Sequence, residues 1–183
     1  MTASVRTVFM IPATRPPTIS VMIIPTRLIQ SGIPYTFLRD NFYTDFFSHM
    51  VGEDGVLRGP AADGRVASVT RADVARVAAT VIQNSTEHFG QTYNLTGPEA
   101  LTLNEIAQTI TEVTGRMVSF HDQTLEEAYE SRLKWEAPQW QYDAWVSTYT
   151  AIAAGELVPS SNDVERITGV PAESLRDFLT SVA

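Results

Sequence analysis

The sequence predicts an α/β fold, and three observations predict it. Strand-like segments alternate with segments of helical periodicity through most of the chain. A β-branched apolar run of strand length, Val5 to Ile11, comes first. Thr70 and Thr102 each head an amphipathic stretch and have an acidic residue three positions on, the pattern of a helix N-cap.

The stretch after the first run, Pro12-Ala-Thr-Arg-Pro-Pro17, cannot donate regularly to a ladder and is expected to be irregular or extended. Within Ile19 to Gln30, Val21, Ile23 and Ile24 favour a strand and Arg27 to Gln30 favour a helix, while Pro25 interrupts either. The expectation is an apolar extended piece and then a helix from about Thr26. Gly32 and Pro34 punctuate the entry to a short strand, Tyr35 to Leu38. Its carboxyl end delivers Arg39, Asp40, Asn41, Phe42 and Tyr43. Ligands of open α/β sheets sit beyond the carboxyl ends of the strands, so these five residues would face whatever is bound. The plain alternative is a strand end with a solvated arginine and a few core aromatics.

Phe42, Phe46 and Phe47 follow at near-helical spacing, and Val51 to Gly64 reads as a glycine-rich loop with one short strand. Its Gly52-Glu-Asp-Gly55 core places Glu53 and Asp54 where a phosphate would come, so it reads as a hairpin loop and not a phosphate cradle. Arg65 to Val69 is a further short strand. The helix capped by Thr70 buries Val74, Val77, Ala78 and Val81. Gln91 to Leu95 is a strand. The helix capped by Thr102 has a core stripe of Leu103, Ile106, Ala107 and Ile110 and ends at Gly115. Met117 to Phe120 is strand-like, Thr124 to Glu127 is a capping box, and Pro138 restarts the chain into a helix ending at Gly155. Trp135, Trp140 and Trp145 form a row that suits either a core or a lid over an apolar ligand. Two short helices, Asn162 to Thr168 and Pro171 to Val182, close the chain.

Composition removes several functions. With 183 residues the chain suffices for one domain with a sizeable core. A formal charge of −8 argues against nucleic acid as a partner. The stretch after Gly115 is strand-like and followed by Glu126, Glu127 and Glu130, so no basic recognition helix completes a helix-turn-helix. There are no cysteines, which excludes disulfides and thiolate chemistry. The three histidines lack metal-site spacing, so no metal is expected. No apolar run approaches the ~18 residues of a membrane span, and a cytoplasmic protein without a membrane partner is expected. Glu126, Glu127, Asp40 and Asp45 are expected to be solvated. Finally, the first glycine is Gly32, so no G-x-G-x-x-G turn follows the first strand.

Four stretches taken together resemble the NmrA-like branch of the atypical short-chain dehydrogenases, the family of the quinone oxidoreductase type 2-like proteins. They are Ser31 to Arg39 with Asn41-Phe-Tyr43, Ala61 to Ala75, Tyr93 to Thr102, and Asn162 to Gly169, in the family's order and spacing. The resemblance covers residues 26–183 and implies the C-terminal half of the family's fold. That is an incomplete Rossmann-like parallel sheet with a mostly helical substrate-side lobe. It implies one domain over residues 1–183 that lacks the glycine-rich nucleotide-binding half, as in a truncated or rearranged form. It also implies hydride transfer from NADP or NAD cofactors to a quinone-like small molecule, or alternatively a non-catalytic nucleotide-sensing or partner-binding regulator. On this resemblance Arg39 and Asn41 would contact cofactor, and Phe42, Tyr43 and Trp140 would contact substrate, with Trp140 as a lid. No catalytic residue is implied. The sheet edge left by the missing half would be open to a second copy of the chain.

Overall fold

The structure, a computed structural model, describes residues 7–12 and 19–182. Its elements are β1 (Thr7–Pro12), α1 (Ile19–Gln30), β2 (Tyr35–Asp40), a 3-10 turn (Thr44–Phe46) leading into α2 (Phe47–Met50), β3 (Val56–Gly59), β4 (Arg65–Val66), α3 (Arg71–Gln83), β5 (Thr92–Leu95), β6 (Leu101–Thr102), α4 (Leu103–Thr114), β7 (Ser119–Asp122), α5 (Leu125–Arg132), α6 (Gln139–Ala153), α7 (Asp163–Thr168) and α8 (Leu175–Val182). The fold is α/β, as the alternation predicts. Most of the stretch expected to be irregular, Ala13 to Pro17, lies outside the described residues, as do Val5 and Arg6.

β2 is the centre of a parallel sheet ordered β1-β2-β5, with Phe9 opposite Phe37 and Leu38 opposite Tyr93. Two smaller pairings complete the strands: β3 lies parallel to β7, and β4 antiparallel to β6. Parallel neighbours cannot be joined by a tight turn and need a crossover, usually a helix. That requirement accounts for the first departure from expectation. Ile19 to Gln30 is helical throughout, with Pro25 inside the helix. The local preference of Val21 to Ile24 for extended backbone yields to the crossover between β1 and β2, at the cost of the hydrogen bond that Pro25 cannot donate.

The strand predicted over Met117 to Phe120 runs instead from Ser119 to Asp122. Its register is set by β3: the Ser119 N–H donates to the Gly55 carbonyl at 3.0 Å and Val56 lies opposite Ser119, leaving Met117 84% exposed. Of the strand predicted over Arg65 to Val69, only Arg65–Val66 pairs as β4, and Val69 instead bridges Tyr43.

The helix caps form as their side-chain chemistry predicts. Thr70 Oγ1 accepts from the Asp73 N–H at 3.1 Å. Thr102 and Glu105 make a reciprocal box: the hydroxyl accepts from the Glu105 N–H at 3.1 Å, and Glu105 Oε2 accepts from the Thr102 N–H at 2.8 Å. Thr124 and Glu127 repeat it on α5. The Glu105 carboxylate also pairs with Arg65 at 2.9 Å, tying α4 to β4. Replacing Thr102 with alanine removes one half of the box, and the expected loss is about 1 kcal/mol in urea unfolding. A change below about 0.3 kcal/mol would show that Arg65 holds the helix start unaided.

Two apolar clusters hold these elements together. Leu38, Val69, Val74, Val77, Val81, Tyr93, Leu95 and Val164 pack α3 and α7 on one side of the sheet. The other cluster joins Phe47 and Leu57 to Leu103, Ile106, Tyr149, Ile152, Leu157 and Leu179, uniting α2, β3, α4, α6 and α8. Buried Asp73 links α3 to the segment before α8. It pairs with Arg76 and accepts from the Glu173 N–H at 2.8 Å. Among the described residues no helix is long and apolar enough to cross a membrane.

Candidate functional site

The turn Gly52 to Gly55 folds β3 back on Val51, and β3 pairs with β7, which leads into α5 and α6. Residues 42–58 are thereby brought to face residues 131–149. Between them lies a cavity of about 570 Å³. Its apolar wall holds Phe42, Phe46, Met50, Val51, Val56, Trp135, Trp145 and Tyr149, and its polar groups include His49, Arg58, Arg132 and Lys134. Among the described residues no aspartate or glutamate lines it.

The aromatic rings are locked against one another. Phe42 packs on Phe47 with centroids 5.2 Å apart, and Trp135 meets Trp145 edge-on at 5.9 Å. Tyr142, whose hydroxyl donates to the Trp135 carbonyl at 2.6 Å, holds Trp145 from behind. Rigid flat walls of this kind take a flat conjugated molecule with little loss of side-chain freedom. Tyr149 lies 6% exposed against Arg132, whose guanidinium carbon stands 5.3 Å from the ring centroid. Burial raises the Tyr149 phenol above its ordinary range, although the guanidinium pulls the other way, and it stays a neutral hydroxyl.

Arg58 is neutralised by Asp54 at 2.5 Å, which holds that exposed carboxyl down at about 2. Arg132 is different. It is 7% exposed, and Nη1 donates to the Ala128 carbonyl at 2.7 Å, to Ser131 Oγ at 3.1 Å and to Gln123 Oε1 at 3.3 Å. Lys134 stands on the rim, with Nζ 4.2 Å from the Trp135 ring centroid.

A second polar constellation lies at the carboxyl ends of the strands. Asp40 is 5% exposed; Oδ2 accepts from the Tyr43 hydroxyl at 2.9 Å, and Oδ1 has no hydrogen-bond partner among the described residues. Burial raises the carboxyl from 3.8 to about 6, against the opposing effect of the Tyr43 bond. Burial and then the Asp40 carboxylate push the Tyr43 phenol well above its ordinary range.

The site residues named from the sequence are thus distributed over several places. Phe42 lines the cavity. Asn41 is buried; its side-chain amide donates to the Leu157 carbonyl at 3.0 Å and its Oδ1 accepts from the Phe42 N–H at 2.7 Å, which fixes the turn carrying Phe42. Tyr43 is next to the cavity but turned onto Asp40. Arg39 is exposed on β2 and makes no ion pair among the described residues. Trp140, 69% exposed, does not line the cavity, whereas Trp135 and Trp145 do. On α6, Trp145 follows Tyr142 by three positions and so flanks the buried stripe of Tyr142, Val146 and Tyr149, while Trp140 points to another side of the helix.

Two expectations about carboxylates are corrected. Asp40 is buried, because residues alternate across a central strand and Arg39 takes the outward position. Asp45 is partly buried and not freely solvated. Burial works against its ionisation, but the Arg71 N–H and guanidinium, both at 2.9 Å, outweigh it and lower the carboxyl below its ordinary range. Sequence reasoning missed Arg132 and Tyr149, and no local motif marks either residue.

The glycine-free segment between β1 and α1 bears on nucleotide binding. The six residues from Ala13 to Thr18 include Pro16 and Pro17, which have no N–H, and contain no glycine. A pyrophosphate needs bare backbone amides at a helix mouth. The sequence of this segment holds no glycine turn of that kind.

No family model matches the sequence. Quinone oxidoreductase 2 of Escherichia coli (strain K12) is 34% identical over 158 residues, covering 84% of this chain and 54% of that protein. The NAD(P)H azoreductase of Xenophilus azovorans is 28% identical over 152 residues, covering 81% of this chain and 53% of that protein. The chain therefore spans about half the length of the curated relatives it matches. Among solved structures, the NADPH-dependent quinone oxidoreductase of Escherichia coli complexed with NADPH superimposes with a TM-score of 0.86 at 26% identity, over 97% of this chain and 65% of that one. The negative transcriptional regulator NmrA in complex with NADP superimposes with a TM-score of 0.68 over 96% of this chain and 64% of that one; at 12% identity this is a likeness of fold alone.

Proposed function

Since the chain belongs with the NmrA-like atypical short-chain dehydrogenases, an NAD(P)-binding family of whose length it spans a C-terminal portion, we propose that its cavity is the acceptor pocket of a quinone-type reductase. The observation that carries this is the 570 Å³ cavity with Phe42, Trp135, Trp145 and Tyr149 on its walls. It suits a planar quinone-like molecule better than a flexible or strongly hydrated one. In this reading residues 1–183 are one Rossmann-type domain without the glycine-rich half, and the protein is cytoplasmic. Phe42 contacts the acceptor directly and Tyr43 stands beside it, while Asn41 fixes the turn that carries Phe42. Arg39 is left exposed at the end of β2 toward a nucleotide, and Trp140, turned to another side of α6, takes no part. An NADP or NAD cofactor would supply the hydride. The sequence after β1 holds no glycine turn of the kind that cradles a pyrophosphate, and no step is assigned to the cofactor.

The test is a titration of the 183-residue chain followed by tryptophan fluorescence, two of the three tryptophans being at the cavity. 1,4-Naphthoquinone is expected to quench saturably, and Phe42→Ala to weaken it by about tenfold. NADPH alone is expected to show no saturation. Absence of saturable quenching by the quinone would refute the acceptor pocket. Saturable NADPH binding would refute the claim that the β1–α1 segment excludes it.

A second reading, a non-catalytic regulator acting through a partner or a second copy, is favoured by one observation. Among the described residues β1 pairs with β2 alone, so its other side presents unpaired backbone groups. Such an edge accepts a strand from another chain. Sedimentation showing a monomer throughout the micromolar range would dispose of the self-pairing form.

A further inference from the structure

We propose that the cavity selects acceptors carrying an anionic group, and that Arg132 is the residue that receives it. The inference rests on the acceptor-pocket reading and adds the substrate's charge to it.

Buried charges in folded proteins are paired, because a desolvated ion without a partner is costly. Arg132 is 7% exposed and no carboxylate lies within 4.0 Å of it among the described residues, although the chain has 21 acidic residues. Its hydrogen bonds to Ala128, Ser131 and Gln123 all leave through Nη1 and end on neutral oxygens. Those bonds, with the Tyr149 ring beneath, hold the guanidinium in place without neutralising it. The carbonyl end of α5 offers partial compensation only.

The rest of the cavity has the same bias. Arg58 and Lys134 contribute to its lining and no acid among the described residues does, on a chain whose net charge is −8. Arg58 is already paired with Asp54, so it supplies less. Lys134, on the rim, has no ion pair among the described residues and sits on Trp135. An anion entering past Lys134 would meet a deeply buried cation whose N–H donors reach no carboxylate among the described residues. A sulfonate, carboxylate or phosphate ester on an aromatic ring fits this arrangement, because oxyanions accept from guanidinium along fixed directions. A cationic aromatic would meet the same residues as repulsion.

The experiment compares two ligands that differ in charge at one position. 1,4-Naphthoquinone and 1,4-naphthoquinone-2-sulfonate are titrated against the full chain by tryptophan fluorescence at low and high salt. The sulfonate is expected to bind at least about tenfold more tightly. Arg132→Gln is expected to bring the ratio of the two affinities to about one, and Lys134→Met, an exposed change on the rim, to reduce it less and remove most of its salt dependence. If the wild-type chain binds both equally, the anion preference is overturned while the acceptor pocket stands. If neither ligand binds, the pocket itself falls and the preference with it. A preference that survives Arg132→Gln intact would overturn the assignment to that residue.

Discussion

Gly64→Ala is expected to cost about 3 kcal/mol of stability, the upper end of the usual range for overpacking. A Cβ on Gly64 would stand 2.2 Å from the Ile152 carbonyl oxygen, 2.5 Å from its carbon and 2.8 Å from the Ala153 Cα. These are main-chain atoms of α6, which cannot rotate aside as a side-chain tip does. Relief requires the end of that helix to move, and Tyr149, Val146 and Ile152 are packed on it. The comparison is Gly115→Ala, where φ is +71° but nothing lies within 4 Å, so only the left-handed backbone is penalised, at about 1 kcal/mol. Urea unfolding of both variants measures the difference. A Gly64→Ala loss no greater than that of Gly115→Ala would mean that α6 yields freely. Since α6 carries Trp145, Thr148 and Tyr149, the same variant is expected to bind 1,4-naphthoquinone more weakly.

The second large effect is a gain. Asp40→Asn is expected to stabilise the chain by about 2 kcal/mol at pH 8 and to destabilise it by about 1 kcal/mol at pH 4. Burial raises the Asp40 carboxyl from 3.8 to about 6 in the folded chain. A raised acid favours folding while it is protonated in both states, and that contribution is lost as pH climbs through the folded value. The window therefore runs from about pH 4 to about pH 7. Ionising so perturbed a carboxyl costs the folded chain about 3 kcal/mol, and the amide N–H left without a partner in the variant takes back about 1. The Tyr43 hydroxyl keeps its acceptor in the variant. Thermal melts of both proteins from about pH 4 to about pH 8 would show the gap opening with pH. A gap independent of pH would place its origin elsewhere than in ionisation.

What the sequence discloses and what it conceals divide along physical lines. The caps at Thr70, Thr102 and Thr124 are legible because a hydroxyl and an acid three residues on settle their geometry within one turn. The stripe Leu103, Ile106, Ala107, Ile110 is legible for the same reason, and all four are buried. α1 is not legible, because a crossover between two strands overrules the preferences of Val21 to Ile24. Asp40 could have been placed inward from the alternation of β2, once β2 is known to be central. The cavity could not be foreseen at all. Its walls come from residues 42–58 and 131–149, and only the pairing of β3 with β7 brings them together. Arg132 has no sequence signature, since its meaning lies in the carboxylates that are not near it. The tryptophan row suits a core or a lid equally well on sequence, and nothing local tells which two of the three reach a void.

Lys134 is the sole lysine of the chain, and it stands at the mouth of the cavity. Amine-directed chemistry thus has one side-chain target. With the α-amino group blocked, a succinimidyl dye reports directly on the entrance, whereas amine coupling to a carboxylated sensor chip tethers a share of the molecules by their own doorway and obstructs the measurement the chip was meant to make. Attachment through a C-terminal tag leaves that doorway clear.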